Sequence, residues 1–162
     1  MNKLSKVALF VYNRPVHTLK VLNNLKKNYL SGQSDIFIFS DNFKNKNDKV
    51  YVNDVRNIIQ NFKGFKSKRI FYRKKNFGLA KNFICGINQV FKYDDRIIVL
   101  EDDNLTSPYF LKYMNYNLDL YKNVDNVGSI SGYCYDLKTK DEKTFLSTFI
   151  PSWGWGTWKR SW

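Results

Sequence analysis

The sequence predicts an α/β domain built on a mainly parallel sheet with helices on both faces. Three observations carry this. Short apolar runs alternate with amphipathic stretches across the first hundred residues, the pattern of strand-to-helix crossovers. Residues 97–100 are apolar at every position, which suits a strand covered on both faces. That run stops at Glu101-Asp102-Asp103, which cannot continue a buried strand without a large desolvation cost. The three carboxylates must therefore emerge at the carboxyl end of the strand, where open α/β sheets place their ligands.

Residues 7–12, apolar and aromatic, form the first strand, and Asn13-Arg14-Pro15 follows as a helix start, with Val16, Leu19, Leu22 and Leu25 at helical spacing. After a polar loop at 31–34, the stretch DIFIFS at 35–40 reads as the second strand, ending at Asp41-Asn42. A loop rich in Asn and Lys runs to Asp48. Val52, Val55, Ile58, Ile59 and Phe62 then mark the apolar face of a second helix, which Gly64 ends. Residues 70–72 make a third strand, and the turn 74–78 leads to a third helix whose buried face is Leu79, Phe83, Ile84, Ile87 and Phe91. Asp94-Asp95 precedes the acidic-ended strand, so it lies at the opposite sheet edge and is assigned to helix termination and solvent. Thr106-Ser107-Pro108 opens a fourth helix with the apolar face Phe110, Leu111, Met114, Leu118 and Tyr121. A turn at 125–126, a strand at 127–131 and a charged loop at 136–143 follow. The final PSWGWGTWKRSW holds all four tryptophans, as packing residues or as a loop facing a sugar or acceptor.

A chain of 162 residues suits one domain with a real core. A net charge of +13 and a pI near 9.7 imply anionic partners, and nucleic acid, nucleotide diphosphates and anionic lipid all meet that description. The clusters at 26–27, 66–69 and 73–75 read by default as solvated surface, with a peripheral membrane contact as the more specific option. Cys85, on a helix, and Cys134, at a strand end, read as free buried thiols. His17 is the only histidine, which leaves Ser-His-Asp and Cys-His hydrolase chemistry without support. The opening MNKLSKVALFVY reads as a strand rather than a signal peptide, and no apolar run is long enough to span a bilayer. The expected location is the cytoplasm, with attachment at the inner face of the cell membrane as an option.

The strand order in sequence brings the turns at 13–14, 41–42, 74–78 and 101–103 to one sheet edge. A nucleoside diphosphate needs partners for its base, positive groups or helix N-termini for its phosphates, and a hard cation held by oxygens. One or two carboxylates with phosphate oxygens suffice for Mg2+ or Mn2+.

The motifs FVYNRP at 10–15, FSDN at 39–42, NFGLAKNF at 76–83, VLEDDNLTSPYFLKYM at 99–114 and SWGWGTW at 152–158 resemble those of nucleotide-sugar glycosyltransferases of the GT-A (Rossmann-like) fold. The likeness covers nearly the whole chain. It is nearest to bacterial family 2-like sugar transferases and to the N-acetylglucosaminyltransferase I pattern. The resemblance implies that Asn13 and Arg14 lie against the nucleotide, that Asp41 contacts the base, and that Asn76, Gly78, Lys81 and Asn82 line the nucleotide side. Within the DXD-type motif it implies that Glu101 approaches the donor sugar, Asp102 the ribose or sugar hydroxyls, and that Asp103 ligates Mn2+ or Mg2+. Trp153, Gly154 and Trp155 would shape the donor-sugar and acceptor pocket.

The implied activity is inverting, metal-dependent transfer of a sugar to a glycan or lipid-linked acceptor, in cell-surface polysaccharide or lipopolysaccharide synthesis. Related inverting enzymes carry their catalytic base a short distance beyond the Gly-Trp segment, so the base is expected past Trp162 and residues 1–162 are expected to be one domain incomplete at its C-terminus. Asp136 and Asp141 are the in-chain alternatives, with no support from spacing. A nucleotidyltransferase is disfavoured because YNRPVH has no glycine-rich loop. A non-catalytic nucleotide-binding module and a basic nucleic-acid binder are the remaining alternatives, and the favoured reading has no nucleic-acid partner.

Overall fold

The computed structural model describes residues 3–135 and 144–162. The chain runs β1 (Lys6–Val11), α1 (Pro15–Lys26), a 3-10 turn (Ser31–Gln33), β2 (Asp35–Ser40), α2 (Asp48–Asn61), β3 (Ser67–Tyr72), α3 (Leu79–Val90), β4 (Arg96–Glu101), α4 (Phe110–Leu120), β5 (Ser129–Ser131) and β6 (Trp155–Trp158). They build one sheet in the order β3-β2-β1-β4-β6-β5. The β3-β2-β1-β4 part is parallel, while β6 runs antiparallel to both β4 and β5.

Strand alternation sorts the core into two layers. Val7, Leu9, Val11, Ile36, Ile38, Ile98 and Leu100 pack against α1, α2 and α4, while Ala8, Phe10, Phe37, Phe39, Ile97 and Val99 pack against α3. Each central strand is therefore apolar on both faces, as its composition required. At the amino edge Lys6 of β1 pairs with Asp35 of β2, and the Ser67 hydroxyl of β3 donates to the same carboxylate, so one acidic side chain ties three strands.

Several expectations change in detail. In α1 the buried positions are Thr18, Val21, Leu22 and Leu25, while Val16 and Leu19 face solvent. In α3 the buried face is Asn82, Gly86, Ile87 and Val90, and Leu79 and Ile84 are exposed. That helix is turned because Gly86 lies under the Phe10 ring: a Cβ there would sit 2.5 Å from Phe10 Cε1. Gly64 does not stop α2, which ends at Asn61; the Lys68 ammonium caps it by donating to the carbonyls of Ile59, Gln60 and Phe62. Asp94 is buried rather than solvated, paired with Lys3 and accepting from the Asp95 N–H. Cys85 is half-buried and Cys134 exposed, so neither is a buried thiol.

The largest change is β6. The tryptophan-rich stretch supplies a strand rather than a loop, inserted between β4 and β5. Gly156 permits this, since a Cβ there would meet the Ile97 carbonyl at 2.9 Å and Met114 Cε at 3.0 Å. Trp158 is buried and donates its Nε1–H to the Leu118 carbonyl. The expected loop at 136–143, with Asp136 and Asp141, lies outside the described residues.

Candidate functional site

The strand order reverses direction at β1, with β2 on one side and β4 on the other, which opens a crevice between the carboxyl ends of β1 and β4. Register aligns its walls: Phe10 pairs with Glu101 and Val11 with Ser40, so Tyr12-Asn13-Arg14, Asp41-Asn42 and Glu101-Asp102-Asp103 leave the sheet at one level.

Arg14 spans the crevice. Its guanidinium pairs with Asp102 Oδ1 at 2.5 Å and with Asp103 Oδ2 at 2.9 Å. Asp102 is 2% exposed and also accepts from the Tyr12 N–H at 3.3 Å. Burial pushes the Asp102 carboxyl above its ordinary value despite the Arg14 charge and the Tyr12 hydrogen bond. Burial likewise raises Glu101, helped by the negative charges of Asp103 and Asp102 and opposed by Arg14. Desolvation works against the Arg14 charge, but the two aspartates outweigh it and hold the guanidinium more firmly protonated. The Glu101 N–H donates to Asn104 Oδ1 and Asn104 Nδ2 to Asp103 Oδ1, so a tight turn presents Asp103 outward.

The second wall is the Asp41 turn. The Asp41 carboxylate, almost wholly buried, accepts from the N–H groups of Asn42, Phe77 and Gly78. Gly78 takes φ +71°, a left-handed conformation that L side chains rarely adopt, and this aims its N–H at Asp41. Asn76 Nδ2 donates to the Asn42 carbonyl and Asn42 Nδ2 to that of Lys74. Asn42 Oδ1 and Arg73 Nη2 are buried beside this turn without a hydrogen-bond partner among the described residues.

The crevice thus gathers Asn13, Arg14, Asp41, Asn76, Gly78, Glu101, Asp102 and Asp103. Lys81 stands exposed at the first turn of α3, its Nζ 5.2 Å from the Phe77 ring centroid. Asn82 turns inward and accepts from Arg73 Nε at 2.8 Å, a structural use. Trp153 is half exposed and packs edge-on against Tyr133, with ring centroids 4.7 Å apart. Gly154, at φ +70°, accepts from the Gly132 N–H, and Trp155 packs into the α3-side core.

Sequence reasoning missed the residues that hold these walls. Asp48 accepts from the Tyr12 hydroxyl at 2.8 Å and from Asn13 Nδ2 at 3.0 Å. The Tyr12 hydrogen bond, ahead of a smaller opposing desolvation, keeps the Asp48 carboxyl below its ordinary range. Arg56 donates to the Asp41 and Arg73 carbonyls and so joins the ends of β2 and β3. An acid in the first turn of a helix signals only favourable interaction with its N-terminus, so the sequence carried no mark of the Asp48 contacts.

Among the described residues, no group of three or more His, Cys, Asp or Glu side chains converges as a metal cage. The oxygens present do fit a hard cation that takes most of its ligands from a bound diphosphate. The Asp103 carboxylate is 43% exposed at the crevice mouth, with Asp102 behind it.

No model of a known protein family matches the chain, and no curated protein matches it by sequence. Solved structures do match in fold. Staphylococcus aureus TarS superposes with a TM-score of 0.52 at 15% identity over 72% of this chain and 20% of that one. TarS 1–349 in complex with UDP gives 0.52 at 12% identity, over 78% and 34%. The mannosyltransferase PcManGT from Pyrobaculum calidifontis, in complex with GDP-Man and Mn2+, gives 0.52 at 12% identity, over 80% and 36%. The chain spans a fifth to about a third of the length of these structures. Among the described residues no helix is long and apolar enough to cross a membrane. The mixed, mostly parallel sheet of this chain is a GT-A-type α/β fold.

Proposed function

We propose that this domain binds a nucleoside diphosphate sugar and serves inverting sugar transfer to a hydroxyl acceptor. The observation that carries the reading is the Arg14–Asp102–Asp103 bridge across the crevice at the point where strand order reverses. The complexes of the neighbours with UDP and with GDP-Man and Mn2+ support the same class of ligand.

In this reading Asn13 and Arg14 face the diphosphate, Asn76, Gly78 and Lys81 line the nucleotide, and Asp41 acts on the base side by holding the 77–78 backbone. Glu101 and Asp102 face the sugar and ribose hydroxyls, and Asp103 would hold Mn2+ or Mg2+. Bound there, the cation supplies electrostatic neutralisation of the departing diphosphate. Arg14, freed from Asp103, contributes a second positive charge to the same phosphates. Trp153 with Gly154 and Trp155 borders the sugar and acceptor side. The acceptor is a glycan or lipid-linked hydroxyl in cell-surface polysaccharide or lipopolysaccharide synthesis.

Calorimetric titration with a panel of nucleoside diphosphates, with and without Mn2+, tests this. Metal-dependent diphosphate binding that Asp103→Asn weakens at least tenfold is the expected result. Binding that ignores both the metal and Asp103, or binding only to DNA or RNA with a steep salt dependence, would overturn the reading.

A further inference from the structure

The outer face of α1 and α4 carries large side chains turned to solvent. Val16, Leu19, Tyr29, Leu105, Tyr109 and Tyr116 are 43–66% exposed. Tyr29, Leu105 and Tyr109 come together where the chain after α1 meets the segment before α4. The Tyr29 N–H donates to the Pro108 carbonyl, the Tyr29 and Tyr109 rings stack at 6.4 Å, and Asn24 Oδ1 accepts from both the N–H and the hydroxyl of Thr106. Along α4 the exposed Tyr109, Lys112 and Tyr116 recur three and four residues apart, so they share one stripe.

Lysines interleave with these groups. Lys20, Lys26, Lys27 and Lys112 are exposed, and Lys112 Nζ lies 5.5 Å from the Tyr29 ring centroid. Residues 15–34 contain no Asp or Glu, and the two acids that border the face beyond them, Asp103 and Asp119, are paired with Arg14 and with Arg96 and Lys122 respectively. The lysines decide what such a face fits. Protein interfaces are depleted in Lys, because an ammonium trapped at their core loses its water. At a bilayer surface, Leu, Val and Tyr enter the headgroup region while Lys stems lie along them and place their charges among lipid phosphates.

We propose that this α1/α4 face is a peripheral docking surface for an anionic phospholipid bilayer. Val16 lies two residues beyond Arg14 and Leu105 two beyond Asp103, so docking sets the crevice mouth beside the membrane. Delivery of a lipid-linked acceptor to that mouth rests on the transferase reading; the lipid contact does not.

Co-sedimentation of the full chain with vesicles tests the proposal, comparing phosphatidylcholine alone with a three-to-one mixture of phosphatidylcholine and phosphatidylglycerol. The expected result is binding to the mixed vesicles and little to the neutral ones. A Leu19→Glu, Leu105→Glu variant loses at least tenfold in partitioning with an unchanged melting temperature, both positions being exposed. Lys20→Ala and Lys112→Ala each lose about fivefold, while Lys92→Ala, just after α3 on the opposite side of the sheet, leaves binding unchanged. The proposal is overturned by equal binding of the Leu-to-Glu variant and the parent, by equal loss in the Lys92 control, or by no binding to mixed vesicles. Each outcome reads independently of the nucleotide titration.

Discussion

Arg14 neutralises two carboxylates that would otherwise repel each other in a partly dehydrated crevice. In Arg14→Ala, buried Asp102 keeps only the Tyr12 N–H as a partner. The expected cost is roughly 1–3 kcal/mol, below that of a fully buried pair because the guanidinium is 44% exposed. Chemical denaturation measures it. Mg2+ or Mn2+ should then restore more stability to Arg14→Ala than to the parent, and an equal response would show that guanidinium and cation do not share these oxygens. Asp35 offers a separate test. Burial alone would raise its carboxyl, but hydrogen bonds from Lys6 and Ser67 and the charges of Lys6 and Lys66 hold it below the ordinary value. The folded state then binds fewer protons than the unfolded one, so this stabilisation is present above the unfolded aspartate range and lost as pH falls through the lower folded value. Asp35→Asn should cost about 1–2 kcal/mol at neutral pH, with the gap closing as melting is followed to acid. The acidic triplet was legible because three adjacent carboxylates cannot continue a strand buried on both faces, and Arg14 because it follows the end of β1; the inward turn of Asn82 was not, because its partner Arg73 is met only through the fold.

The elements show where a missing side chain sets the packing. Gly86→Ala in α3 should destabilise the protein by about 1–3 kcal/mol although alanine is the better helix former. The added methyl meets Phe10 at 2.5 Å and Phe39 at 3.1 Å within a stacked aromatic layer. A urea midpoint at or above that of the parent would show that the ring layer yields. Helix α3 also explains two misread positions: Leu79 and Ile84 fit the hydrophobic spacing yet face solvent, while Phe83 stacks on Phe10 as expected and the sheet's Phe10, Phe37 and Phe39 need a shallow helix surface, which Gly86 and Asn82 provide. Strand β6 escaped notice for a related reason. Two glycines among tryptophans resemble a loop, and only contact with Ile97 and Met114 reveals why a glycine belongs in that strand.

For the molecule as a whole, the alternation of apolar runs and amphipathic stretches made the parallel half of the sheet readable, since each crossover constrains the next strand. Of the antiparallel addition, β5 was read as a strand at 127–131, whereas β6 and its pairing across many residues left no local mark. The same distinction governs the ligand site: its carboxylates and arginine follow from strand ends, whereas Asp48 and Arg56 depend on side chains meeting across loops. If the crevice binds a nucleoside diphosphate as proposed, UDP or GDP with Mn2+ at about a hundredfold over Kd should add about 2.7 kcal/mol to unfolding. Calorimetry measures this as a raised melting temperature. No rise with either nucleotide would show that the folded domain binds neither.

The insertion of β6 between β4 and β5 has a consequence for the order of events on the ribosome. β4 leaves the tunnel more than fifty residues before the strand that covers its free edge, β4 pairing with β6 from Arg96 against Trp158 to Val99 against Trp155. During that interval the chain presents an uncovered row of Ile97, Ile98 and Val99, the kind of edge that recruits other nascent chains. Such distant pairing closes late and slowly. Yield in the cell should therefore respond to elongation rate between codons 102 and 158 more than to any stretch upstream.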